Sequence, residues 1–96
     1  PKDSKEYKET LVTAAKEYGE IYDKYRTRLA GLYARMYQGR CHQKVGDDKE
    51  ALSYFTELLE EPDAADEVRT LKTKTLLLAI KCASTSRRKT IGSNCV

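Results

Sequence analysis

Leu11, Ala15, Tyr18, Tyr22, Tyr25, Leu29, Leu32 and Met36 follow one another at alternating steps of three and four residues. That spacing marks one face of an α-helix, and no proline interrupts it between Tyr7 and Val45. Gly19 and Gly31 are its weak points, each costing roughly 1 kcal/mol relative to alanine. The pattern predicts a single helix over residues 4–45, about 60 Å long at about 1.5 Å per residue. Such a helix is longer than a compact domain of 96 residues is wide, and the remaining chain is too short to cover it. Three tyrosines sit on the stripe, with rings that need cover and hydroxyls that need a partner or water. Tyr18, Tyr22, Tyr25 and Leu29 are therefore expected to form a contact face for a second copy of the chain or for another protein. Packing within the chain is the competing expectation for the same residues: a bend at Gly31 would fold Tyr7 to Tyr25 back onto the rest of the chain and remove the case for a dimer.

The first stop is Val45-Gly46-Asp47-Asp48, where Gly46 suits a helix C-cap and either aspartate suits the next N-cap. Ala51, Leu52, Phe55, Leu58 and Leu59 then define an amphipathic helix over 48–61. Glu61-Pro62-Asp63 ends it, and Asp63 is placed to cap a further helix over 64–84. In that helix Val68, Leu71, Thr75, Leu78, Ala79 and Cys82 share one face. Leu76, Leu77 and Ile80 widen the apolar arc, so it is expected to be the best-buried helix. Residues 85–96 read as a flexible basic tail. Asp3 or Ser4 is the expected cap of the first helix. The fold class is all-α, in one domain over 1–84, and a chain that opens on Pro1 is expected to be cut from a longer one.

Charge is strongly segregated. Asp47 to Glu67 holds nine acidic residues and one base, whereas Val68 to Val96 holds seven bases and no acid. Helices that neutralise each other explain such a dipole, as does a basic surface for an anionic partner.

Catalytic and metal chemistry find little footing. His42 is the single histidine, and Cys41-His42 alone cannot arrange ligands around an ion. No phosphate-binding glycine loop and no nucleophile–base–acid set can be assembled. The chain is therefore expected to be non-enzymatic and to need no cofactor. Three widely spaced cysteines, Cys41, Cys82 and Cys95, fit reduced thiols and a cytoplasmic setting, with Cys95 open to adventitious oxidation. The longest apolar run, Leu76 to Ile80, is far shorter than a membrane span.

Gly39, Gly46, Ala51 and Phe55 stand at the spacing Gly-x6-Gly-x4-Ala-x3-Phe. With Asp47 at the turn, Leu32–Ala65 resembles one tetratricopeptide repeat, a helix–turn–helix of about 34 residues. Arg35 and Gln38 stand where that family usually has a large aromatic and an aliphatic residue. His42 takes a usual aromatic position, Leu58 a usual alanine, and Pro62 comes one residue early. The resemblance implies a TPR-like helical hairpin, flanked by the long N-terminal helix and a C-terminal packing helix. It also implies that Tyr33, Met36, Arg40, Gln43 and Lys44 line a ligand-facing surface, where Arg40 and Lys44 would meet an acidic group on a protein or peptide.

The expected function is thus a protein–protein interaction or scaffold module that self-associates through the tyrosine-rich face, as a homodimer or within a longer chain. The alternative is a nucleic-acid-binding module built on Arg69, Lys72, Lys74, Lys81 and the Arg87-Arg88-Lys89 cluster. It is disfavoured because the basic helix carries no aromatic residue on which bases would stack. Arg87-Arg88-Lys89-Thr90 also resembles a basic-directed kinase site.

Overall fold

The computed structural model describes residues 4–94, with side chains to residue 85. Among the described residues it is all-α: α1 (Lys5–Lys24), α2 (Leu29–Val45), α3 (Asp48–Leu59) and α4 (Asp66–Asn94). Each helix packs on the next in sequence, and α2 also meets α4. No helix is long and apolar enough to cross a membrane among the described residues.

The long first helix expected from the periodicity is two helices. α1 stops at Lys24, and Tyr25 leaves helical geometry at φ −121°, ψ 38°. Arg28 donates its N–H back to the Tyr25 carbonyl at 2.9 Å and becomes the extended N-cap of α2. Residues 23–28 are all exposed, so the backbone groups freed by the break are open to water. In return the stripe closes on its own chain. Ala15 and Tyr22 become buried, at roughly 1.5–3 kcal/mol for a large apolar side chain. The longest extent of the domain is 47 Å, too short for the expected rod.

Gly31 lets the two helices meet at this corner. A Cβ there would lie 1.9 Å from the Tyr25 carbonyl oxygen. Gly39 serves the next crossing, since a Cβ would lie 2.6 Å from Cε1 of the fully buried Phe55. Small residues at such points let helix axes approach within about 8–10 Å. α2 ends at Gly46 in the left-handed conformation, φ 97°.

The caps are partly as expected. The Tyr7 N–H donates to Ser4 Oγ at 3.1 Å. Asp47 is the N-cap residue of α3 but its side chain makes no cap bond; its carboxylate lies 3.7 Å from His42 Nδ1. Asp63 does not cap α4, which begins at Asp66, because its carboxylate takes the Lys72 ammonium at 2.7 Å.

The core runs from Tyr22 through Met36, Ala51, Phe55 and Leu58 to Leu71, Ala79 and Cys82. Thr75 is buried with it, its hydroxyl bonded to the Leu71 carbonyl at 2.8 Å. α4 is not the best-buried helix: Leu76, Leu77 and Ile80 are 47%, 64% and 55% exposed. Nor does helical backbone end near residue 84, since α4 runs to Asn94. The kinase-like side chains of Arg87 to Thr90, and Cys95, lie outside the described residues.

Gly31→Ala is expected to lower the free energy of unfolding by about 2–3 kcal/mol, because main chain must move to admit the methyl group. Gly46→Ala, which has open space around it but an unfavourable φ, should cost about 1 kcal/mol. Urea unfolding followed by circular dichroism gives both values.

Candidate functional site

The stripe residues divide between the interior and the surface. Tyr22 is 5% exposed, and its hydroxyl donates to Glu57 Oε1 at 2.9 Å. The Arg35 guanidinium lies 3.8 Å from the centre of the Tyr22 ring and 4.6 Å from that of Tyr54. Arg35 Nη1 donates to Gln38 Oε1 at 2.8 Å and Nη2 to Glu57 Oε1 at 3.3 Å. Two of the residues that depart from the repeat pattern, Arg35 and Gln38, thus join α1, α2 and α3. Sequence reasoning missed this network, although an arginine in place of an aromatic signalled it. Burial, then the hydrogen bond and charge of Glu57, push the Tyr22 phenol above its ordinary pKa. Burial and Glu50 push Tyr54 the same way.

Tyr18 is half-buried and stacks on Tyr37 at 5.5 Å. Tyr25 is exposed at the end of α1, with Lys24 Nζ at 5.4 Å, and Leu29 is half-buried in the first turn of α2. The dimer face expected on the stripe therefore has its central tyrosine, Tyr22, already covered by its own chain.

Tyr33, Met36, Arg40 and Lys44 fall instead on the side of α2 that meets α4. Met36 is buried; Tyr33 is half-buried, with Tyr37 at 6.4 Å and Lys74 Nζ at 5.8 Å from its ring. Two adjoining open clefts run between these helices. The first, about 470 Å³, is lined by Met36, Tyr37, Arg40, Lys74, Leu77 and Lys81, among others. The second, about 280 Å³, shares Arg40 and Lys81 and adds Gln43, Lys44 and Asp48. Asp48 is buried, and the Cys82 thiol donates to its main-chain oxygen at 3.1 Å.

The cations of α4 separate by side. Toward α3, Lys72 binds the Asp63 carboxylate and the Glu61 carbonyl, and Arg69 pairs with Asp66. Toward α2, neither Lys74 nor Lys81 pairs with a carboxylate among the described residues, and the same holds for Arg40 and Lys44. Mutual neutralisation with the acidic segment thus accounts for only half of the basic side chains on described α4. Arg40 and Lys44 were legible beforehand. Tyr37, Lys74 and Lys81 were not joined to them, because only the α2–α4 approach brings them together.

His42 packs on Tyr54 at 5.4 Å. Among the described residues no group of three or more His, Cys, Asp or Glu side chains is placed to hold a metal ion. Cys41 and Cys82 are buried thiols, and burial raises the Cys41 pKa. Comparison with known proteins gives no match, whether to a family model, a curated protein or a solved structure.

The raised phenol pKa sets a sign. The stability tied to neutral Tyr22 is fully present below the ordinary value of 10.0 and is lost as pH rises through the higher folded-state value. Tyr22→Phe should cost about 1 kcal/mol at neutral pH and flatten the stability profile above pH 10. Urea unfolding repeated across the alkaline range measures both.

Proposed function

We propose that this chain is a TPR-like protein–protein interaction module whose partner presents an acidic segment to the cleft between α2 and α4. The observation that carries the reading is the set of four cations, Arg40, Lys44, Lys74 and Lys81, lining adjoining clefts without a carboxylate partner among the described residues. Asp48, which is buried and takes the Cys82 thiol on its main-chain oxygen, also lines the second cleft; the four cations around it still repel one another, and an anionic ligand relieves that cost. Tyr37 and Leu77 beside them, 38% and 64% exposed, add apolar contact that a purely electrostatic site lacks. The repeat-like character is supported by Gly39 against Phe55, by the fully buried Ala51, and by α2 meeting both α3 and α4.

Self-association through the tyrosine stripe has no place in this reading, because Tyr22 is committed to Arg35 and Glu57. Nucleic acid is the competing anion. Tyr33 and Tyr37 border the cleft, yet they contact each other and, for Tyr37, Tyr18, so no pair of rings stands open to splay bases.

The test is fluorescence anisotropy with a Glu- and Leu-containing peptide and, separately, a single-stranded oligonucleotide. The peptide is expected to bind at low salt. Lys74→Glu with Lys81→Glu should weaken it at least about tenfold, equivalent to roughly 1.4 kcal/mol, with the helical circular dichroism unchanged. Tighter binding of the oligonucleotide than of the peptide would replace this reading with the nucleic-acid one.

A further inference from the structure

We infer that the partner segment is an acidic amphipathic helix lying along α4, its apolar side on Leu76, Leu77 and Ile80 and its carboxylates over Lys74 and Lys81; this rests on the interaction reading above. The outward side of α4 carries Thr73, Leu77, Ile80 and Ser84 at steps of four, three and four, all exposed, with Leu76 and Ala83 beside them. The strip is thus apolar in its middle and ends on a hydroxyl at either side. Its spacing is that at which one helix receives another. It covers three turns, about 16 Å at about 1.5 Å per residue. Its three large side chains are all between 47% and 64% exposed, a grouped apolar patch rather than scattered single residues.

Secondary structure limits what can lie there. The backbone N–H and C=O groups in the middle of α4 are used within the helix, so α4 cannot pair with an extended strand. An extended peptide on this strip would find no backbone partner in α4, and its N–H and C=O groups facing the leucines would lose water without gaining a hydrogen bond. A helix satisfies its backbone internally and presents only side chains.

Charge then selects among helices. From Val68 onward the chain has seven bases and no acid. A second α4 laid on the strip would bring Lys74 and Lys81 up to like charges, whereas a carboxylate-bearing helix neutralises them. The chain already uses this pairing on the other flank of α4, where Asp63 takes the Lys72 ammonium at 2.7 Å.

The probe is a synthetic peptide of about 20 residues with leucines at three- and four-residue steps flanked by glutamates, long enough to hold helix once docked. Its control has the same charge, with two central residues changed to proline. Binding to Pro1–Val96 is followed by anisotropy, helix gain by circular dichroism, and the mass of the protein alone by light scattering. The helical peptide is expected to bind and gain helicity, and the proline peptide to bind at least about tenfold more weakly. Ile80→Glu, at an exposed position away from the clefts, should weaken the helical peptide by at least about tenfold without changing the protein's own helicity. Equal binding of both peptides, lost in the Lys74→Glu and Lys81→Glu variant, would overturn the helix inference and leave the acidic-cleft reading standing. Failure of both peptides would overturn both. A protein that is dimeric alone, and is dispersed by Ile80→Glu, would assign the strip to a second copy and sink the inference.

Discussion

Three helices converge on the Arg35 guanidinium, which sits between the rings of Tyr22 from α1 and Tyr54 from α3 and bonds to Gln38 and Glu57. Its Nε is buried without a hydrogen-bond partner, a cost of about 1–3 kcal/mol in isolation. Two stacked tyrosines, each worth roughly 0.5–2 kcal/mol to a partly desolvated cation, offset that cost. The Tyr22–Glu57 bond ties α1 to α3 across 35 residues of sequence, although the backbones of those helices do not meet. Gly19 takes part from below: Gln38 Nε2 occupies space that a Cβ there would enter, at 2.7 Å. Replacing Arg35 by an aliphatic residue would therefore take the donor from the Gln38 side-chain carbonyl and leave the Glu57 carboxylate with the Tyr22 hydroxyl but without its cation.

From this knot follows which surfaces stay open. With α1 folded back and fixed through Tyr22, one side of α2 is closed by α1 and another by α3, through Gly39 and Phe55. The third meets α4, where Met36 seals the bottom and Tyr37, Arg40 and Lys44 stand above it. α4 likewise spends one flank on the acidic side of the molecule, at Asp63, Asp66 and the Glu61 carbonyl, and turns Lys74 and Lys81 the other way. The charge dipole written along the chain becomes a division between two sides of one helix.

Helical periodicity was legible throughout, because the three- and four-residue spacing constrains local geometry directly. The break was legible only as an alternative bend at Gly31, and its position at Tyr25–Arg28 was not, since Asp23-Lys24-Tyr25-Arg26-Thr27-Arg28 contains neither proline nor glycine. Tertiary burial ends α1 there, and the glycine that permits the corner lies three residues into the next helix. The same limit explains α4. A wide apolar arc reads as deep burial when only one helix is considered, but burial also needs a neighbour, and among the described residues only α2 and α3 reach α4. Of the cleft, Arg40, Lys44 and Met36 were visible from the resemblance to a repeat. Lys74 and Lys81 lie some 30 residues further on and join them only through the packing of α2 on α4.

Apolar and cationic features of this surface have different consequences for binding. Open clefts are screened by salt over about 8 Å at physiological ionic strength, so on the proposed reading the four cations would steer an acidic partner inward more than hold it. Retention must come from area, and the exposed carbon at hand is that of Tyr37, Leu76, Leu77 and Ile80. At roughly 25 cal/mol per Å², covering three such aliphatic side chains gives several kcal/mol before the ordering and association terms are deducted. What remains would suit a weak, rapidly exchanging complex with the proposed partner. A partner helix reaching from the strip across to Tyr37 and Arg40 would bury more and bind more tightly, so on the proposed reading the approach of α2 to α4, set by the residues between Met36 and Leu78, would be the variable that fixes how much of a partner the surface could hold.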